Sequence, residues 1–374
     1  MEVKNLMANR LVTQVASQNA DLAAILANMN LNPKNALVEY KSATVVTVKG
    51  SNNIGFELNG KWWVLDTDFD LDLDADLDTG AKAHGTDYYA YLCDNAGSLV
   101  GLLSAATTYP AGYNANTSRK LGGFHYGRVR LVDANWIPQD SVNGSYGAGW
   151  EDDVSTAIIS NSVWDLKNRP TCSPEGMAKL GGIWMDMYEA SVDDAITLSS
   201  GKLLTGTTKS VYNANPLTGT ESLNWYHFNE LAKRTGKRMV TLAEWLMAAE
   251  GSPQGNDGDN VNAWSYTSNA ARNPTGIVAR AVSAYNIVDC VGNIQEWLDE
   301  FLHDPTAATG AWQDPMTGQG VGQLYMYSAT GLHAILAGGR WDDGVVAGSR
   351  CVALYVYPWF VSASNGCRFA CDSL

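Results

Sequence analysis

Ala337-Gly-Gly-Arg-Trp-Asp-Asp-Gly344, followed by Ala347-Gly-Ser-Arg350, Tyr357-Pro-Trp359 and Gly366-Cys-Arg368, is the stretch that decides how the rest of the chain is read. Two kinds of residue interleave in it. Gly338, Gly339, Trp341, Gly344, Gly348, Arg350, Pro358, Trp359, Gly366 and Arg368 are demanding. Glycines admit positive φ or close backbone approach, and tryptophans bury large areas while their N–H needs a partner. Asp342, Asp343, Val345, Val346, Ala353, Tyr355, Val356, Phe360, Ser362, Ala363, Ser364 and Asn365 mix charge, size and polarity with neither a strand nor a helix period. A fixed frame carrying unconstrained side chains is the pattern of a binding surface on a scaffold; plain irregular core is the other possibility.

The 374 residues allow two or three domains and a sizeable core. Hydrophobic residues make up 45% and charged residues 17%, while 36 Gly, 13 Trp and 17 Tyr suit a loop-rich β or α+β protein. The net charge of −14 argues against sequence-independent nucleic-acid binding and against anionic membrane surfaces. Met1-Glu-Val-Lys-Asn-Leu-Met7 lacks the pattern of a secretion signal, and no run is long enough to span a bilayer, so cytoplasmic synthesis without export is expected. The six cysteines contain no CxxC pair; they are expected to be reduced, mostly buried and without zinc.

In chain order, residues 1–35 are expected to form a helix, with Leu6, Leu11, Val15, Leu22, Ile25, Leu26 and Met29 on one stripe and Asn32-Pro33 closing it. It either packs against copies of itself or lies on its own domain. Residues 36–133 are expected to be a β-rich attachment or oligomerisation domain, with Asn59-Gly60 marking a tight hairpin. The acidic alternation Asp66–Asp78 has period two but lacks the glycine and glutamate of an EF-hand loop, so a solvated or charge-guarded strand edge is favoured over calcium. Residues 134–165 are expected to be a linker or packed loops. Residues 166–374 are expected to be one domain. Asn224 is placed to cap one helix, and Thr241 with Glu244 forms a capping box for the next. Helices followed by short strands and long loops give an α+β assignment.

Asp186-Met-Tyr-Glu189, the Trp225 helix, Gly236 to Trp245 with Ala248-Ala249, Gly292-Asn-Ile-Gln-Glu-Trp297, Gly338-Gly-Arg-Trp341 and Gly366-Cys-Arg368 occur in a telling order. Together they resemble the formylglycine-generating-enzyme (sulfatase-modifying factor) branch of the C-type lectin fold. Within that branch the C-terminus is similar to the variable proteins of diversity-generating retroelements. Residues 85–91 and 121–125 add a loose resemblance to phage structural proteins. The resemblance implies a C-type-lectin-like domain over 166–374, with a variable segment at about 337–368 preceded by the N-terminal helix and the β-rich domain. In that family adenines of AAY codons are miscopied, which reaches every residue type among the twelve positions above but not Trp, Lys, Glu, Gln or Met.

The resemblance implies a non-enzymatic display protein that binds a protein or glycan receptor on a host cell, as a phage tail homotrimer. A bacterial variable ligand-binding protein, cytoplasmic or cell-surface associated, is the alternative. A copper oxidase is the third. Formylglycine-generating enzymes hold copper with a C-x4-C pair; here Cys351 matches the second position and Val346 stands at the first. No catalytic constellation, cofactor, metal or nucleic-acid or membrane partner is expected. Asp342-Asp343 lacks the Glu-Pro-Asn or Gln-Pro-Asp partner of calcium-dependent sugar sites. Tyr355 and Phe360 among the variable positions, with Tyr357 and Trp359 in the frame, are the expected aromatic anchors.

Overall fold

The computed structural model describes residues 36–304, 311–313, 322–326 and 331–374, apart from 53, 143, 146, 148, 199–203 and 256–257. The N-terminal helix expected over 1–35 lies outside the described residues. The chain divides into two compact units. One holds the described residues up to Lys82 with 88–123 and 164–168; the other holds 83–87, 124–163 and 169–374.

In the first unit, Val38–Tyr40, Val45–Val48 and Phe69–Asp72 form an antiparallel sheet. Ile54–Leu58 and Lys61–Leu65 form the expected hairpin, whose turn residues Asn59 and Gly60 take φ of 52° and 72°. Those values are the type I′ geometry that matches strand twist. The acidic run spreads its carboxylates over separate partners. Asp68 pairs with Lys49 and accepts from the Ser51 N–H, and the Lys49 hydrogen bond brings its carboxyl down to about 2. Asp70 takes Lys41 and Thr47, Asp74 takes Lys82, and Asp78 accepts from Ser104 and Ala111.

In the second unit, Val154–Ile158 pairs antiparallel with residues 126–130. Met177–Leu180, Ile183–Asp186, Phe369–Asp372 and Arg238–Met239 make a four-stranded antiparallel sheet in that order. A six-stranded sheet runs Ala311–Gln313, Leu324–Met326, Val352–Val356, Gly331–Ala337, Gln295–Asp304, Asn365–Gly366.

The α+β assignment is corrected: the chain is a mostly β protein. The described residues hold two α-helices, Trp225–Arg234 and Leu242–Ala248. Both begin at the expected caps, Asn224 with His227 and Thr241 with Glu244. Capping boxes are strong local signals for short elements, so they outweigh in sequence the many brief strands around them. The Gly292 to Trp297 segment leads into a ten-residue strand, Gln295–Asp304.

From His333 onward the Gly331–Ala337 strand is buried on both faces. Ala334 and Leu336 join Trp225, Phe228, Trp297 and Phe369 in one apolar cluster, while Ile335 and Ala337 join Trp245, Leu298 and Val288 in another. A strand covered on both sides reads as an unbroken apolar run rather than an alternation. Below the clusters, the fully buried Arg368 guanidinium donates to both oxygens of Glu296 at 2.7 and 2.8 Å. Its remaining N–H groups go to the carbonyls of Asp186, Met187 and Val288. Lys237 pairs with buried Asp186 at 2.5 Å.

A candidate binding surface on the C-terminal unit

The frame residues of 337–368 hold the segment by backbone contacts. Gly338 and Gly339 take φ of 93° and 80°, and a Cβ on them would lie 2.8 Å from the Cys290 carbonyl and 2.6 Å from Ala347 Cβ. No larger residue fits there without a shift. Trp341 donates its N–H to Asn293 and accepts from Tyr266 through its backbone. Arg350 pairs with Glu250. The Tyr357-Pro-Trp359 turn is closed by the Phe360 N–H on the Tyr357 carbonyl, and the Tyr357 and Trp359 rings stack at 5.0 Å and 5°. Ser362 docks through its backbone on Gly219, and the Gln295 N–H donates to the Ser364 carbonyl.

Between these fixed points a depression of about 570 Å³ opens. Its lining combines Asp342, Asp343, Val346 and Tyr355 with Gln295, Trp312, Tyr325 and Arg340. Trp312, Tyr325 and Tyr355 form an edge-to-face chain with centroids 4.9 and 5.1 Å apart. Such contacts add about 0.5–1.5 kcal/mol per pair beyond area burial and fix ring orientation before any ligand arrives. Arg340 Nε lies 2.8 Å from Asp342 and 3.2 Å from Asp343. The Arg340 N–H also donates to Asp343 at 2.8 Å. Burial pushes the Asp343 carboxyl up, and the Arg340 N–H and guanidinium work against that. Burial likewise raises the Tyr355 phenol. The lining thus offers aromatic faces, one cation and two carboxylates.

The twelve positions singled out in sequence do not behave alike. Val345 (65% exposed), Phe360 (49%) and Ala363 face outward; Asp342, Val346, Tyr355 and Ser362 are half-buried, and Asp343 is largely covered. Ala353, Val356, Ser364 and Asn365 are buried, so their side chains are not on the open surface of this chain. The reason for Val356 is a bulge. Ala353 pairs with Leu336 and Val356 with Ala334, so two residues on one strand face one on the other. The extra residue turns Val356 back to the face of Tyr355 and Ala353. Of the two fixed aromatics, Trp359 is exposed and Tyr357 is half-buried beside His333.

Trp312, Tyr325, Gln295 and Arg340 were missed as site residues. A lone Trp in a Gly-, Thr- and Gln-rich stretch and the apolar Leu324-Tyr-Met-Tyr327 run are the signals that mark two of them. Exposed Val361, beside Phe360, was missed as well.

Comparison with known proteins agrees with this architecture. Residues 36–165 match the model described as the Mtd second domain, and residues 181–370 match the sulfatase-modifying factor enzyme 1-like domain. The chain is 28% identical over 357 residues to the tail fiber receptor-binding protein of Bordetella phage BPP-1, covering 91% of this chain and 81% of that protein. Solved structures of the M1 and P3c variants of the Major Tropism Determinant share the fold. Each has a TM-score of 0.64, at 22% and 23% identity, over 92% of this chain and 85% of theirs. The Mtd second-domain match and the tropism-determinant variants agree with the expected likeness to variable proteins of retroelements, and the chain belongs to the sulfatase-modifying factor enzyme 1-like domain family.

Proposed function

We propose that the protein is a non-enzymatic receptor-binding protein of a phage tail, which recognises a protein or glycan on a host cell through the surface of residues 340–363. The observation that carries this function is the open depression whose walls are loop and strand-end side chains on a backbone pinned by glycines and buried ion pairs. Preorganised aromatic anchors lower the ordering cost of binding. The relationship to a tail fiber receptor-binding protein over most of both chains supports the same role. Residues 36–133 serve attachment or oligomerisation, with the N-terminal segment contributing, and a homotrimer multiplies weak single-site binding.

The copper-oxidase alternative is disfavoured by the donor set. Val346 supplies no thiolate, and Cys351 is fully buried, its thiol pushed up to about 12 by desolvation. Copper(I) sites of that kind need a soft pair.

The test is adsorption of fluorescently labelled protein to intact bacteria of a candidate host panel. Trp312→Ala and Phe360→Ala are expected to lower adsorption at least tenfold with little change in melting temperature. Full adsorption by both variants sinks the proposal. Turnover of a cysteine-containing peptide with added copper also sinks it. Light scattering on the full chain decides the trimer.

A further inference from the structure

Two thiols face each other near the chain terminus, away from the residues used above. Pro170 and Ser373 form an antiparallel bridge. The Thr171 N–H donates to the Asp372 carbonyl at 3.0 Å, and the Leu374 N–H to the Arg169 carbonyl at 2.9 Å. Counting two residues on from the bridge along one segment, and two back along the other, sets Cys172 opposite Cys371. Because Thr171 and Asp372 are hydrogen-bonded to each other, the Cys172–Cys371 position is of the non-hydrogen-bonded kind. Side chains approach most closely there, with Cα atoms about 4.5 Å apart. That spacing lies inside the range of about 4.4–6.8 Å that a disulfide spans.

Side-chain contacts agree with the register. Cys371, together with burial, raises the Cys172 thiol well above its ordinary range, as a close neighbour would. Cys172 Sγ also lies 3.6 Å from the Ser173 carbonyl and 3.5 Å from Met177 Sδ. Cys172 is half-exposed and Cys371 is buried. The neighbouring Cys172 lowers the Cys371 thiol to about 7 against the effect of burial, with Thr171 and Lys237 assisting. Cys93, Cys290 and Cys351 are different: burial lifts each to about 12. Cys367, fully buried, is raised further still for the same reason. A thiolate is the reactive form, so the facing pair is the place in the chain where exchange chemistry is favoured.

We infer that Cys172 and Cys371 are a redox pair, which closes to a cross-strand disulfide when the protein meets an oxidising small-molecule disulfide such as oxidised glutathione. Of the pair, Cys172 holds the proton and Cys371 is the thiolate. The half-exposed Cys172 sulfur gives its proton to Cys371 as it attacks the small disulfide, forming a mixed disulfide and releasing one small thiolate. Cys371 then yields that proton to the released thiolate, attacks Cys172 Sγ and expels the second small thiolate, which takes its proton from water. Two protein thiols lose two electrons and two protons, and the small disulfide leaves as two thiols. Closure ties the segment at Thr171 to the Phe369–Asp372 strand, which continues directly from Arg368. It closes a loop of about 200 residues, long enough for a large effect on the unfolded chain.

The test uses the full chain equilibrated in glutathione buffers of rising disulfide fraction. Remaining thiols are blocked with N-ethylmaleimide and the digest is read by mass spectrometry. The expected result is one linked pair, Cys172 with Cys371, and an oxidised form that melts about 5–15 °C above the reduced form. Cys172→Ser is expected to remove both the link and the shift while the reduced protein melts within about 2 °C of the parent. Any of three results overturns the inference: both cysteines alkylated at the oxidising end of the series, a link to another cysteine or between two copies, or no rise in melting temperature on oxidation.

Discussion

Replacing Arg368 with methionine removes the guanidinium at the centre of the C-terminal unit while roughly keeping its volume. Arg368 is 1% exposed and its five N–H groups are all used, two on Glu296 and three on backbone carbonyls. The substitution leaves the Glu296 carboxylate, itself 1% exposed, without its counter-charge. Breaking a buried pair from one side costs about 3–5 kcal/mol, because the stranded charge cannot reach water. The three carbonyls add roughly 1 kcal/mol each at most, and the terms overlap rather than sum. A loss of about 4 kcal/mol lowers the melting temperature by roughly 8–16 °C for a unit of this size. The informative comparison is the double variant Arg368→Met with Glu296→Met. It removes both charges, and well-packed apolar replacements are often neutral against the original pair. At least half of the lost stability should therefore return. Thermal and urea melts of the four proteins close the cycle. If Arg368→Met alone stays within about 1 kcal/mol of the parent, or the double variant is as unstable as the sum of the singles, then the ion pair does not hold the frame.

The binding face and the frame should respond differently to the same chemistry. Val345→Asn, on an outward-facing side chain, should change stability by less than about 0.5 kcal/mol, whereas Ala353→Asn, fully buried beneath the same segment, should cost about 2–3 kcal/mol; equal effects in urea melts would contradict the assigned orientations. Gly339→Ala should destabilise by more than 1 kcal/mol, since φ is 80° and the added methyl meets Ala347 at 2.6 Å; a neutral thermal melt would mean the loop is free to move. Burial lifts the Asp289 carboxyl to about 6, above its ordinary 3.8, against hydrogen bonds from Gly276 and Thr275. A raised acid keeps its proton in the folded state after the unfolded chain has released it, so stability falls as pH rises from about 4 to about 6, by roughly 3 kcal/mol from this group. Asp289→Asn should flatten that part of the pH–stability curve; an unchanged slope in urea titrations between pH 4 and 7 rules the assignment out.

What could be read from the chain was whatever a few adjacent residues decide. Asn59-Gly60 forces its hairpin, and Thr241 with Glu244 starts its helix, because the partners of those contacts are three residues apart or fewer. The glycines and Arg368 of the C-terminal segment were legible for the same reason: each residue type tolerates few environments. The aromatic wall of the depression was not. Trp312, Tyr325 and Tyr355 come from three strands, and Leu324–Met326 joins Val352–Val356 by parallel pairing that no local pattern announces. The α+β assignment failed because strands of two to four residues carry almost no period, while two capped helices are conspicuous. Ala353 and Val356 were grouped with the open positions because their stretch shows no period in sequence, whereas the pairing that sets both on the face of Leu336 and Ala334 is made across strands.

The bulge in the Val352–Val356 strand limits how much of the segment is free to vary. A native domain has only about 5–15 kcal/mol in hand. Asp342, Val345, Val346, Tyr355, Phe360, Ser362 and Ala363 are at least partly open to solvent, so substitutions there leave most of that margin intact. Ala353 and Val356 sit in the cluster with Trp297, Leu336 and Phe369, where a polar or larger residue draws on it directly. Ser364 and Asn365 are buried and bonded to each other, and Ser364 meets Ser362 at 2.8 Å, so a change at one must be matched by its neighbours. On the proposed reading, a side chain at these four positions would alter the partner only by moving the backbone under the exposed seven. The repertoire that such a segment could display while remaining folded would then be set less by the number of reachable residue types than by the reserve held in Arg368, Glu296 and the glycine turns.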